Sequence, residues 1–167
     1  VNGAGKVIAK LSRRIRKNHN RDLNGDGYPE MGIAGHLANS GAGKVYIYYG
    51  GKNSTSNIGI SSITGGSSTD QCYTHTMADL NYDGYADLVY GCDTNNLGAG
   101  KVAIFFGGPG ISQVSSISQA DRTIVGNASD TFGVVTGLAD FNGDGYLDLC
   151  VGASNYNSGN GKLYLFL

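Results

Sequence analysis

The chain has 167 residues, with 12 basic and 13 acidic side chains, a formal net charge of −1, and 28 glycines against 2 prolines. That near-neutral balance argues against a nucleic-acid partner, and the longest apolar runs, 45–49 and 102–106, fall far short of the ~20 residues that cross a bilayer as a helix. The length suffices for one domain with a real core, and glycine supplies the positive φ angles of tight turns between short strands, so the composition predicts an all-β fold.

In chain order, Gly3-Ala-Gly-Lys6 opens the sequence and reads as the tail of an earlier structural unit. No initiator Met or signal-peptide pattern precedes it, so any targeting segment is expected to have been removed or withheld. Residues 10–21 then carry six of the 12 basic side chains and read as a solvated loop that interrupts the pattern. From residue 22 a template D-x-N-x-D-G-Y-x-[DE] appears three times: Asp22-Leu-Asn-Gly-Asp-Gly-Tyr-Pro-Glu30, Asp79-Leu-Asn-Tyr-Asp-Gly-Tyr-Ala-Asp87 and Asp140-Phe-Asn-Gly-Asp-Gly-Tyr-Leu-Asp148. Each is followed, always 19 residues after its first Asp, by a Gly-x-Gly-Lys: Gly41 to Lys44, Gly98 to Lys101 and Gly159 to Lys162.

Constant internal spacing with a period of 57 and then 61 residues defines one repeated unit. Each Gly-x-Gly-Lys leads into a β-branched or aromatic run, 45–49, 102–106 and 163–166, which reads as strand. Around the last repeat the pattern predicts strands at 121–125, 133–139, 148–153 and 162–167, with the Asp-rich loop between the second and third. Four short strands in about 60 residues cannot bury both faces alone and are the mark of propeller blades. The expected organisation is a partial blade with a basic segment over 1–21, then repeats over 22–70, 71–131 and 132–167, the last incomplete. About three repeats fall short of the four to eight blades that close a propeller.

The three loops hold nine of the 13 acidic residues. Carboxylates so close repel by about 1 to 4 kcal/mol per pair, and a divalent cation reverses that sign. The predicted oxygen ligands are Asp22, Asn24, Asp26, Tyr28 and Glu30 in the first loop, Asp79, Asn81, Asp83, Tyr85 and Asp87 in the second, and Asp140, Asn142, Asp144, Tyr146 and Asp148 in the third, each Tyr through its backbone carbonyl. With a bidentate last carboxylate and a water this makes about six to seven hard ligands, which suits Ca²⁺ better than Mg²⁺. An EF-hand would need an acid at position 12, where Ile33, Tyr90 and Val151 stand. Pro29 and the longer Glu30 mark the first loop as the weakest of about three calcium sites.

These motifs together resemble the FG-GAP repeats of integrin alpha subunits. The third unit fits best, with Phe132-Gly133 before its loop and Gly152-Ala153 after it; in the second, Gln71-Cys72 and Gly91-Cys92 stand in those places. The resemblance implies a β-propeller with structural calcium on one face and ligand-binding loops on the other, here 36–40, 93–97 and 154–158 with the turns 65–71 and 126–131. Cys72 and Cys92 lie nearly opposite across a hairpin, either disulfide-bonded or as two small buried residues, and Cys150 reads as inert core. Sequons at Asn53 and Asn127 would suit a secreted protein.

No enzyme motif emerges. Gly-Ala-Gly-Lys lacks the phosphate-loop spacing, His19, His36 and His75 occupy no repeated position, and carboxylates saturated by calcium make poor general acids. The expectation is an extracellular or cell-surface calcium-binding module for adhesion or for a protein or glycan ligand, without catalysis. The alternatives are a self-assembling unit joined through open blade edges, and an accessory propeller of a secreted hydrolase or lyase.

Overall fold

The computed structural model describes residues 21–52, 59–93 and 98–167. The first Gly-x-Gly-Lys, the basic segment apart from Arg21, the sequon at Asn53 and residues 94–97 of one predicted binding loop lie outside the described residues. Among the described residues ten strands form three antiparallel sheets. The first contains β1 (Met31–Gly35), β2 (Lys44–Tyr48) and β3 (Ile60–Thr64). The second orders β4 (Cys72–Ala78), β5 (Asp87–Cys92), β6 (Lys101–Phe105) and β7 (Arg122–Val125). The third contains β8 (Phe132–Ala139), β9 (Asp148–Ala153) and β10 (Lys162–Phe166). They are three blades of an open β-propeller, the all-β architecture that the repeats predict.

The strand near 121–125 decides between two groupings in the sequence, with the strands of the last unit or within the repeat 71–131. It pairs with β6, Lys101 facing Val125 and Ile104 facing Arg122, so it is the outer strand of the second blade, not the first strand of the third. Sequence adjacency to 133–139 suggested one unit, but 126–131 is a turn between blades.

The sheets pack face to face. Val45, Ile47 and Ile63 from the first share a core with Leu88, Tyr90, Ala103 and Phe105 of the second, while Val89 and Val102 on the second sheet's other face meet Phe132, Leu149, Val151 and Ala153 of the third. β5 is therefore buried at every residue, as expected for a strand covered on both faces. β9 alternates instead: Leu149 and Val151 point into the core while Cys150 between them is half-buried on the opposite face, which corrects its assignment to the core.

The second glycine of Gly-x-Gly-Lys has a direct packing role. Gly43 and Gly100 have φ of +81° and +75° and form parallel bridges to Cys72 and Phe132, the first residues of the next blade. A Cβ on Gly100 would lie 1.9 Å from the Phe132 carbonyl oxygen, and one on Gly43 2.0 Å from that of Cys72. One blade thus abuts the next through backbone alone. Cys72 hence occupies the place of Phe132, and Cys92 that of Ala153, since each pair is in cross-strand register. Counting back from the loop at a fixed offset aligned Cys72 with Gly133 instead. The second blade has one residue fewer before its loop, absorbed at the bulge where the register shifts. Cys72 and Cys92, both fully buried, are joined by a disulfide that fills the space of the Phe132–Ala153 pair.

We expect Gly100→Ala to destabilise the fold by about 2–4 kcal/mol, through a left-handed backbone and a backbone clash, read as a lower urea midpoint. Breaking the disulfide as Cys72→Ala/Cys92→Ala is expected to cost about 3 kcal/mol in the same assay.

Candidate metal loops

The second and third acidic loops join β4 to β5 and β8 to β9, the first leads into β1, and the backbone of each is organised around its first aspartate. In the first loop Asp22 Oδ1 accepts from the amides of Gly25 (2.7 Å) and Asp26 (3.1 Å) and Oδ2 from Gly27 (2.8 Å). In the third, Asp140 accepts from Gly143 (2.7 Å), Asp144 (3.0 Å) and Gly145 (3.0 Å). In the second, Asp79 accepts from Asp83 (3.1 Å) and Gly84 (3.0 Å). These amides hold the loop tightly wound.

Positions three and five are linked in the same way in every copy. The Asn24, Asn81 and Asn142 amides donate to Asp26, Asp83 and Asp144 at 3.2, 2.9 and 2.8 Å, and those aspartates accept from the backbone N–H of Tyr28, Tyr85 and Tyr146 at 2.9, 2.9 and 2.8 Å. All these side-chain oxygens gather at the exposed end of the loop.

The last acid sits deeper. Glu30, Asp87 and Asp148 are buried at the loop base, where each accepts from the amide of the loop's second residue, Leu23, Leu80 (2.8 Å) and Phe141 (2.7 Å). Their other oxygens meet Gly50 (3.4 Å) in the first blade and Gly107 (2.9 Å) in the second. Asp148 Oδ1 has no hydrogen-bond partner among the described residues.

The first loop differs from the others in the longer arm of its last acid, Glu30. Among the described residues the first loop is where carboxylate oxygens of three acids, Asp22, Asp26 and Glu30, lie within 4.8 Å of one another. Burial pushes the Glu30 carboxyl up to about 6, with the Asp26 and Asp22 charges adding to it against the pull of the Leu23 and Gly50 amides. Burial likewise raises Asp87, opposed by the Gly107 and Leu80 amides. The donor set is all oxygen and the charges repel without a cation, so the residues fit a hard divalent ion. The last acid of every loop accepts from backbone amides at the loop base, and in the second and third loops it is one methylene shorter.

The sequence reading missed a further pair of acids. Asp70 and Asp130 end matching turns, Ser67-Ser-Thr-Asp70 and Asn127-Ala-Ser-Asp130, just before β4 and β8. Buried Asp70 accepts from Gly66 N–H (2.8 Å) and the Ser67 hydroxyl (2.8 Å) and forms an ion pair with Lys101 at 3.0 Å. This gives the lysine of the second Gly-x-Gly-Lys a role. In the third blade Lys162 lies over the rings of Tyr164 and Tyr156 instead, and Asp130 accepts from Asn127 Nδ2 at 3.1 Å. The signal was present as an acid 9 residues before the second loop and 10 before the third.

At the opposite end of the blades, the predicted binding loops are tied to one another. The Thr131 and Ser154 hydroxyls lie 2.8 Å apart and Asn155 donates to the Ser129 carbonyl. His36 packs edge-on against Tyr73, whose hydroxyl donates to Asp93 at 2.8 Å. Asn39, Ser40, Asn157 and Ser158 all have positive φ, so the first and third of these loops share one backbone shape.

A raised carboxyl favours the folded state at low pH: in metal-free protein Glu30 contributes stability that is complete below its ordinary value of 4.5 and lost as pH rises through about 6. We expect Glu30→Gln to abolish that slope in EDTA, measured by urea unfolding between pH 4 and 7.

Comparison with known proteins agrees with this geometry. Residues 22–90 match the FG-GAP-like repeat and residues 132–166 the FG-GAP repeat. The chain is 35% identical over 101 residues to a phosphatidylinositol-glycan-specific phospholipase D of Mus musculus, an alignment covering 54% of this chain and 12% of that protein's length. Two repeat matches, which take in all three acidic loops and the strands other than β6 and β7, make this chain an FG-GAP repeat protein.

Proposed function

We propose that this chain is a calcium-stabilised propeller module of the extracellular space or cell surface, which presents its opposite loops to a protein or glycan ligand and performs no catalysis itself. The observation that carries this reading is the convergence of Asp22, Asp26 and Glu30 on one point, in a loop whose template recurs twice more. Calcium would be held by the side-chain oxygens of positions one, three, five and nine and the Tyr carbonyl, and would supply charge neutralisation rather than chemistry. The buried disulfide supports an oxidising compartment. No helix among the described residues is long and apolar enough to cross a membrane. The linked hydroxyls and left-handed turns of the opposite loops give a fixed surface suited to recognition.

A second reading has its own observation. Met31, Ile33 and Ile60 on the outer face of the first sheet, and Val135, Leu163 and Leu165 on that of the third, are exposed apolar side chains, a surface through which copies could join blade to blade. A concentration-independent monomer in light scattering would reject it. The similarity to a phospholipase D along 12% of its length favours a third, a module attached to an enzyme in a longer polypeptide; sequencing the intact source protein decides it.

Calorimetric titration is expected to give about three Ca²⁺ per chain, one fewer in Asp144→Ala. EDTA is expected to lower the melting temperature, since each site stabilises by about 2.7 kcal/mol at a hundredfold excess over Kd. No heat and no shift would refute the metal sites. A glycan array and a pull-down that both return nothing would count against ligand presentation.

A further inference from the structure

The three loops share a template but differ at its fourth position. Loops one and three have Gly25 and Gly143 there, at φ of +81° and +77°. The second has Tyr82, held at φ +60°, a left-handed conformation that side chains other than glycine's adopt at a cost. Something must hold it there. Its hydroxyl donates to the Gly145 carbonyl of the third loop at 2.8 Å, 63 residues away, and its ring packs edge-on against Tyr146 with centroids 5.1 Å apart. Both rings remain substantially exposed, Tyr82 at 49% and Tyr146 at 64%, so burial does not explain the pose.

The contact falls on one peptide unit. The carbonyl of Gly145 accepts from Tyr82 and the amide of Tyr146 donates to Asp144 Oδ1 at 2.8 Å, so the peptide plane between Gly145 and Tyr146 is held at both ends. It stands between two of the third loop's ligand positions, the Asp144 side chain and the Tyr146 carbonyl. Tyr82 is itself flanked by Asn81 and Asp83 of the second loop. The first and second loops are joined differently, by the Ala86 amide on the Asp22 carbonyl at 2.8 Å and by the Tyr85 ring against Gly25.

We propose that Tyr82 is a positioning residue that orders the third loop from the second and so couples cation binding at the two. The coupling rests on the calcium reading above; the ordering of the third loop does not. The strained backbone of one hairpin is compensated by a bond to its neighbour, so ordering either loop lowers the cost of ordering the other.

The test compares the parent chain with Tyr82→Gly, which restores the residue of the other loops, and Tyr82→Phe, which retains the ring and removes the hydroxyl. The amide resonances of Gly27, Gly84 and Gly145 report the loops separately during a Ca²⁺ titration. In the parent chain Gly84 and Gly145 are expected to move with one midpoint. In Tyr82→Gly the Gly145 midpoint is expected to weaken about fivefold while Gly27 is unchanged, with Tyr82→Phe between. A general loss of stability would shift all three. Gly145 keeping its midpoint within twofold in Tyr82→Gly would overturn the coupling. Hydrogen exchange in EDTA separates the two ideas: Tyr146 N–H is expected to exchange several-fold faster in both variants, and no change there overturns the ordering role. Should no resonance respond to Ca²⁺ in the parent chain, the calcium reading and the coupling fall together, and the exchange measurement still decides the ordering.

Discussion

Within each hairpin, backbone amides turn back on the aspartate that begins the loop, and the rest of the arrangement follows from that. Two or three N–H groups converge on Asp22, Asp79 and Asp140, fixing a path of about five residues without a long-range contact. That path carries the third and fifth side chains to the same side and sends the ninth residue down to the base, where its carboxylate closes the loop on the amide of the second residue. Glycines at positions with positive φ make the winding cheap. The negative charge is thereby concentrated by the covalent pattern itself, and strands enter and leave each loop in fixed register.

Much of this was legible because it is local. The nine-residue template, its 19-residue offset to Gly-x-Gly-Lys and the alternation of the strands all act within one blade, so sequence spacing reports them directly. What depended on contacts between blades was not. That β7 belongs with β6, that Cys72 takes the place of Phe132, and that Gly100 is pressed against the next blade's first peptide are facts of packing. The bulge that shortens the second blade by one residue defeated counting at a fixed offset. At the first loop, Glu30 standing within 4.8 Å of Asp22 and Asp26 is a juxtaposition that comparing Glu with Asp by length alone did not suggest. Asp70 and Asp130 were visible as letters but carried no meaning until Lys101 was seen beside Asp70.

The two ends of the blades are built on different principles. The acidic end gathers unlike groups around carboxylates and is joined across blades by Ala86 to Asp22 and Tyr82 to Gly145. The other end is a lattice of hydroxyls, amides and left-handed turns in which charge is paired and buried, as at Asp70 and Lys101. Between them lies a dry core with one covalent cross-link in the middle blade, where the third has an aromatic ring instead. The disulfide and the phenylalanine solve the same packing problem, filling the start of the inner strand where the previous blade offers only glycine.

The unequal repeat lengths have a simple address. From the first aspartate of a loop to the lysine of Gly-x-Gly-Lys the chain takes 22 residues in every blade. The net excess of the longer repeat lies between β6 and β7, where Ile111–Gln113 and Ile117–Gln119 form short 3₁₀ turns that tuck Ile111 and Ile117 into the core and bring Ser115 to the Thr64 amide. Length has accumulated beside the acidic end, in a connection that also closes the seam between the first two blades through Ile111, Ile117 and the Ser115 carbonyl. Any further insertion at that corner has to spare Ile111, Ile117 and Ser115 for the first two blades to stay joined.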